Sequence, residues 1–198
     1  QGRVSRSQHV ELFGQMSTPM NSRISPRDIA LTAVMIALVA VVTRFMIVPV
    51  GAGYFNFSDM AVYFVAFTFG PWIGFLAGGI GAAIADLSAG YAAFAPLTFL
   101  AHGLQGLMAG LLLRSLPGTL PVRMVAGAAV GTLTMTGVYF LGEYFGASLG
   151  WGGPAQAVTE LPFNLLQNVV GAAVAIPLSL LMRRAYPPIV RYTARPPR

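Results

Sequence analysis

The sequence contains no cysteine and no lysine, and only six acidic residues among 198. Without cysteine there are no disulfides, thiolate metal ligands or Cys nucleophiles. Without lysine there is neither a Walker A phosphate loop nor a Schiff-base centre. Any active transport must therefore draw its energy from a partner or an ion gradient. Charge of either sign is scarce, at 9% of residues, against about 25% in soluble domains. The remainder is rich in apolar residues (56%), with a mean hydropathy of +0.69. These values exclude an ordinary soluble globule and a disordered chain, and point to a single integral membrane domain.

All twelve basic residues are arginines, and the net charge is +6. Their positions argue for topology rather than nucleic-acid binding. Arg3, Arg6, Arg23 and Arg27 precede the first apolar run, and Arg183, Arg184, Arg191, Arg195 and Arg198 follow the last. Arg114 and Arg123 flank an internal turn rich in Pro and Gly. Short cytoplasmic segments are enriched in Arg, so these residues set orientation and touch anionic membrane lipid.

Residues 1–27 are polar and lack an apolar period. They are set aside as a disordered or non-native tail; the first residue is Gln, and Met16 and Met20 each offer an alternative start. Residues 28–184 form the membrane domain, and 185–198 a basic cytoplasmic tail. Within the domain, Pro and Gly punctuate six apolar segments: Ile29–Val48, Met60–Phe69, Ile73–Leu87, Pro96–Leu113, Val122–Leu141 and Leu161–Met182. Six crossings place every arginine except Arg44 on one face of the membrane; five would split them. The expected fold is an all-α, six-transmembrane-helix bundle, multi-pass in the plasma membrane, with both termini cytoplasmic. Small residues recur every four positions, as in Ala33/Ala37, Gly74/Gly78, Gly106/Gly110 and Gly127/Gly131. Such stripes let helix backbones approach closely; the first could equally face another protein.

Three segments carry a polar stripe on one helical face. The sixth bears Glu160, Asn164, Gln167 and Asn168; the fifth Thr132, Thr136, Tyr139 and Glu143; the fourth Thr98, His102 and Gln105. At about 1.5 Å per residue, all three occupy the same outer half of the membrane. Matched depth favours a water-accessible pocket over interhelical glue. For Glu160 and Asp59, which begin apolar segments, helix capping competes with ligand contact. Asp86 and Glu143 end segments, where a carboxylate needs a partner or ligand. His102 fits a site or a hydrogen bond to a neighbouring helix equally well. Tyr54, Asn56, Tyr91, Phe94 and Trp151, in the outer loops, read as a lid over a flat solute or as interfacial belt residues.

In order along the chain stand Ala33-Val-Met-Ile-Ala37, Phe55-Asn-Phe-Ser-Asp59, Phe69-Gly-Pro-Trp-Ile-Gly74, Gly78-Gly-Ile-Gly-Ala-Ala-Ile-Ala-Asp86 and Leu161-Pro-Phe-Asn-Leu-Leu-Gln-Asn168. From Arg27 to about Arg184 the chain resembles the substrate-capture (S) subunits of energy-coupling factor (ECF) transporters, closest to the riboflavin-type branch. The resemblance implies a vitamin-like solute in an outer pocket and an Ala33/Ala37 face that meets a transmembrane coupling subunit driven by two cytoplasmic ATPases. Riboflavin is the first expected solute and a thiamin-related pyrimidine the second, the latter because acids outnumber bases in the stripes. No HExxH, GxSxG or clustered His set occurs, so no catalytic residue, metal or cofactor is expected. A scaffold, a small channel or, less favoured, an intramembrane enzyme are the competing functions.

Overall fold

The computed structural model describes residues 25–50 and 53–194. Residues 1–24, most of the set-aside tail, lie outside it. Six α-helices and one β-hairpin follow in order: α1 (Pro26–Phe45), β1 (Ile47–Val50), β2 (Gly53–Asn56), α2 (Ser58–Phe69), α3 (Pro71–Ala89), α4 (Ala95–Ser115), α5 (Leu120–Phe145) and α6 (Pro154–Ala185). Short 3-10 turns cover Ala147–Leu149 and Pro187–Tyr192. Helices α1, α3, α4, α5 and α6 are long and apolar enough to cross a membrane. Helix α2 has 12 residues, about 18 Å at 1.5 Å each, so it cannot cross alone.

Local chemistry sets most of the boundaries. Each long helix has proline in its first turn, where the missing N–H costs nothing. Helix α1 adds a capping box: Ser25 Oγ accepts from the Arg27 amide, and Asp28 accepts from the Ser25 amide. Two boundaries depart from the sequence expectation. The first apolar run does not stay helical to Val48; α1 stops at Phe45, and Ile47–Val50 pairs antiparallel with Gly53–Asn56. Val48 precedes Pro49, which disfavours the helical region, and β-branched neighbours favour an extended chain. The last helix begins at Pro154 rather than Leu161 and runs through Pro162 and Pro177. Neighbouring groups can satisfy the carbonyls freed by proline inside a membrane bundle.

Helix α2 is central. Ten of its residues are buried, and it packs on α3, α4, α6 and, less, α1. A helix apolar on all sides belongs inside. Around it, α1 packs on α3, α3 on α4, α4 on α5 and α5 on α6. The outer faces are apolar, with Leu133 69% and Val169 61% exposed, as a lipid environment requires. After α6 the chain folds back instead of leaving the bundle. Ile189 is buried, the Tyr192 ring packs edge-on against Phe69, and its hydroxyl bonds Asp28. That contact uses Gly70, the α2–α3 corner, at φ +91°; a Cβ there would lie 2.5 Å from the Tyr192 carbonyl oxygen.

The small-residue stripes of α3, α4 and α5 are packing devices. A Cβ on Gly78 would sit 2.5 Å from the His102 carbonyl oxygen, and one on Gly106 2.5 Å from that of Gly74. Gly78→Ala should therefore cost about 1–3 kcal/mol. Gly137→Ala, where nothing lies within 4 Å, should be neutral or stabilise by up to about 1 kcal/mol. Thermal unfolding of the two purified variants checks the contrast.

Candidate functional site

The hairpin, the α3–α4 turn and the α5–α6 connection share one end of the bundle. There a cavity of about 220 Å³ opens, lined by Asn56, Asp86, Tyr91, Phe94, Thr98, His102, Met135, Tyr139, Glu143, Gln156, Glu160, Phe163, Asn164 and Gln167. Below it lies a layer of paired polar groups centred on Asp59. Its carboxylate, fully buried at the start of α2, accepts from Gln105 Nε2 at 2.7 Å and from Gln167 Nε2 at 2.8 Å. Gln105 Nε2 also donates to Asn168 Oδ1 at 2.8 Å, and so does the Tyr63 hydroxyl at 2.7 Å. Tyr63 reaches Thr132 on α5 at 2.9 Å. Asn168 Nδ2 donates to the Asn164 carbonyl and to Met135 Sδ. One hydrogen-bonded layer thus joins α2, α4, α5 and α6.

The layer fixes the His102 tautomer. Both Gln105 N–H groups are spent on Asp59 and Asn168, so Gln105 Oε1 must accept, and His102 Nδ1, 3.0 Å away, donates. The same ring nitrogen is 3.5 Å from Asp59. In the neutral imidazole the other nitrogen, Nε2, is then an acceptor. The ring packs edge-on against Tyr139, whose hydroxyl donates to Thr98 at 2.8 Å. Thr98 in turn interacts with Asp86.

The cavity wall is left unpaired where the floor is not. Glu143 is 1% exposed, and neither of its carboxylate oxygens has a hydrogen-bond partner among the described residues. It also ends α5, where the macrodipole disfavours negative charge, and it faces Glu160. Asp86 Oδ2 is likewise buried without a partner. Glu160 receives one bond, from Gln156 at 2.9 Å. It stands in the second turn of α6, not at its start, so the capping alternative raised for it fails. No arginine lines this cavity. Arg44 lines an adjoining one of about 260 Å³, which shares Asn56, Asp86 and Tyr91 with the first. Buried, unpaired acceptors are costly in an apolar surround; a ligand carrying N–H groups or positive charge would satisfy them.

The structure brings Asn56, Asp86, Tyr91, His102, Tyr139, Glu143, Glu160, Asn164 and Gln167 to one cavity. It does not bring the other expected residues to the wall. Gln105 and Asn168 lie beneath it, with both amide hydrogens of each already donated within the floor. Thr136 is buried beside the wall, its hydroxyl without a partner among the described residues. Trp151 donates its indole N–H to the Ala93 carbonyl at 2.6 Å, tying the α5–α6 connection to the α3–α4 turn. Tyr54 pairs with Pro49 in the hairpin, and its side chain lies outside the described residues. Met135, Gln156 and Phe163 line the wall without having been singled out. Gln156 and Phe163 could have been found once α6 was begun at Pro154, because both then fall on the Glu160 side of the helix; nothing in the sequence marks Met135.

Residues 23–184 match the family model described as ECF-type riboflavin transporter, S component. The chain is 32% identical over 144 residues to an uncharacterized protein in the gap 3' region of Pyrococcus woesei, covering 72% of this chain and 91% of that one. It is 30% identical over 161 residues to the thiamine precursor transporter HmpT of Lactococcus lactis subsp. cremoris (strain MG1363), covering 80% and 89%. A solved S component of a bacterial ECF transporter superposes with a TM-score of 0.62 at 25% identity, covering 81% of this chain and 96% of the other.

Floor and wall should respond oppositely to loss of charge. Asp59→Asn turns an amide donor toward two others and should destabilise the protein by about 1–3 kcal/mol. Glu143→Gln removes a buried unpartnered carboxylate and should be neutral or stabilise by up to about 2 kcal/mol. Thermal unfolding of each purified variant gives the sign.

Proposed function

The chain belongs to the family of ECF-type riboflavin transporter S components, and from that premise we propose that it captures a donor-rich aromatic heterocycle of the thiamine-precursor class. S components are integral membrane transporter subunits, not enzymes. They bind a vitamin-type substrate and work with a membrane coupling subunit and ATPases. Here the cavity at the hairpin end faces the exterior and both termini face the cytoplasm. What supports that orientation is the gathering of arginines at the other end.

One observation carries the choice of cargo: Asp86, Glu143 and Glu160 share a wall with no arginine, and two of the three keep a buried oxygen without a donor. An aminopyrimidine offers an exocyclic amine and a protonatable ring nitrogen, which a carboxylate can accept in two parallel bonds. A flavin ring offers the same acids a single N3–H flanked by two carbonyl oxygens, a poorer match than paired donors. The volume also favours a small ring, since about 220 Å³ falls below the roughly 300–1,000 Å³ of drug-sized sites. The name of the Lactococcus relative agrees with this class. Riboflavin remains the second reading, favoured by the matching family model and by the adjoining cavity with Arg44, which offers room for a polar side chain. Tyr91, Phe94, Tyr139 and Phe163 can stack on either ring.

Titration calorimetry on the purified protein decides between them. An aminopyrimidine thiamine precursor should bind, and Glu143→Gln should weaken it about tenfold or more. Tighter binding of riboflavin would transfer the site to the second reading. If neither bound, the solute-capture role would fail.

The docking face for the coupling subunit is the Ala33/Ala37 stripe. Helix α1 buries Met35, Val39, Val42 and Thr43, whereas Ala33 and Ala37 are exposed together with Val34 and Val41. Among the described residues, this stripe alone of those named from the sequence has no helix against it. Ala33→Trp or Ala37→Trp should abolish assembly and uptake while leaving calorimetric solute binding within about twofold, since neither side chain packs inside the bundle. Assembly that survives both substitutions would refute the assignment.

A further inference from the structure

A second cavity, about 490 Å³, lies at the end of the bundle opposite the acidic one, between the α4–α5 turn and the segment after α6. Gly118, Leu120, Arg123, Arg183 and Thr193 contribute to its lining, and no acidic residue does. The two guanidinium groups are close enough to repel each other. All the acceptors they have among the described residues are neutral. Arg123 Nη1 donates to the Leu113 carbonyl at 3.0 Å, and Arg183 Nη2 to the Phe67 carbonyl and to Thr193 Oγ1. The Nε–H of each is buried with no partner among the described residues.

Two partly buried like charges with no counter-charge among the described residues are costly. The start of α5 adds to the imbalance, because Leu120 is its first residue and the first turn of a helix presents free N–H groups and a positive dipole end. A monovalent carboxylate would balance one guanidinium. A phosphate group matches two forked donors: its non-bridging oxygens can be shared between both guanidiniums, and a free phosphate or monoester carries up to two charges where a lipid phosphodiester carries one.

We propose that this cavity binds a phosphate group through Arg123 and Arg183. The site is separate from solute capture and does not depend on which solute is taken. Its depth suits a lipid. Arg123 and Glu143 stand twenty residues apart on α5, about 30 Å at 1.5 Å each, which is the thickness of a hydrocarbon core. With the acidic cavity at one surface, the arginine pair reaches the headgroup level of the opposite leaflet. Val122 and Val125, on the same end of α5, are 61% and 59% exposed and give acyl chains an apolar shoulder. A soluble phosphate is the other source of the same chemistry.

Native mass spectrometry of the full-length, delipidated protein with phosphatidylglycerol or phosphatidylcholine, alongside thermal shifts with sodium phosphate or sodium chloride, tests the site. Wild type should retain phosphatidylglycerol about tenfold more strongly than phosphatidylcholine, whose phosphate already has a quaternary ammonium as counter-charge that the arginine pair would repel. Arg123→Gln should lose that preference, while Arg184→Gln, a charge change at an exposed residue outside the cavity, should keep it. Stabilisation by inorganic phosphate to the same extent as by phosphatidylglycerol would support the phosphate site and assign it to a soluble anion; response to the lipid alone would support it and assign it to the membrane. Should Arg123→Gln fail to fold, the wild-type comparisons still decide. Equal retention of the two lipids with no phosphate stabilisation, or an unaltered preference in a folded Arg123→Gln, would overturn the proposal.

Discussion

The buried carboxylate of Asp59 is the constraint on which the upper half of the bundle depends. It sits on a helix too short to cross a membrane, so α2 cannot be held by lipid at both ends. What holds it is side-chain chemistry: amides from α4 and α6 converge on that one carboxylate, and Tyr63 on the same helix reaches α5. Interhelical hydrogen bonds in membranes average well under 2 kcal/mol each, so no single bond is decisive. Their geometry is. An amide has a fixed set of donors and acceptors, and once Gln105 has satisfied Asp59 and Asn168 it leaves His102 only one way to point its proton.

The floor explains the wall. Floor groups form a layer in which nearly every donor has an acceptor, which makes the layer rigid. Directly above, Asp86 and Glu143 keep buried oxygens with no donor among the described residues. A bundle that satisfies its polar groups so thoroughly at one level, and abandons them a turn or two higher, is storing unpaired acceptors where a ligand can reach them. Such an arrangement lowers stability in the empty state, and under the proposed function a donor-rich ring would return that deficit.

Much of the arrangement could be read from the sequence because helical periodicity maps spacing onto faces. The stripes on segments four, five and six, taken at about 1.5 Å per residue, predict a shared depth. The cavity gathers Thr98, His102, Tyr139, Glu143, Glu160, Asn164 and Gln167, while Gln105, Thr132 and Asn168 lie in the layer beneath it and Thr136 beside it. Four things resisted. Asp59 reads as an N-terminal cap, because a local role is visible in sequence while partners 46 and 108 residues away are not. Gln105 and Asn168 read as ligand contacts, since a stripe shows which face a residue occupies but not whether its donors are already spent. The early start of α6 was hidden by Pro162, a proline that would end a soluble helix. Moving the start to Pro154 takes Glu160 out of the first turn and turns a capping residue into part of the wall. The hairpin escaped for a simpler reason: Ile47 and Val48 are as apolar as the helix before them, and composition cannot distinguish an apolar strand from the end of an apolar helix.

The small-residue stripes carry the last step. Spacing alone makes the four stripes equivalent, yet the structure divides them. The stripe glycines of α3, α4 and α5 face backbone or side-chain atoms of a neighbouring helix so closely that even a methyl group would collide, so their smallness is consumed inside the molecule. Ala33 and Ala37 face outward on a helix whose other side is already packed. A lipid-facing helix has no need of small residues, because acyl chains conform to leucine as readily as to alanine. Small residues at four-residue spacing matter only where a rigid backbone must come near. On the proposed function, the exposed stripe on α1 is half of a helix–helix contact whose other half belongs to a different chain.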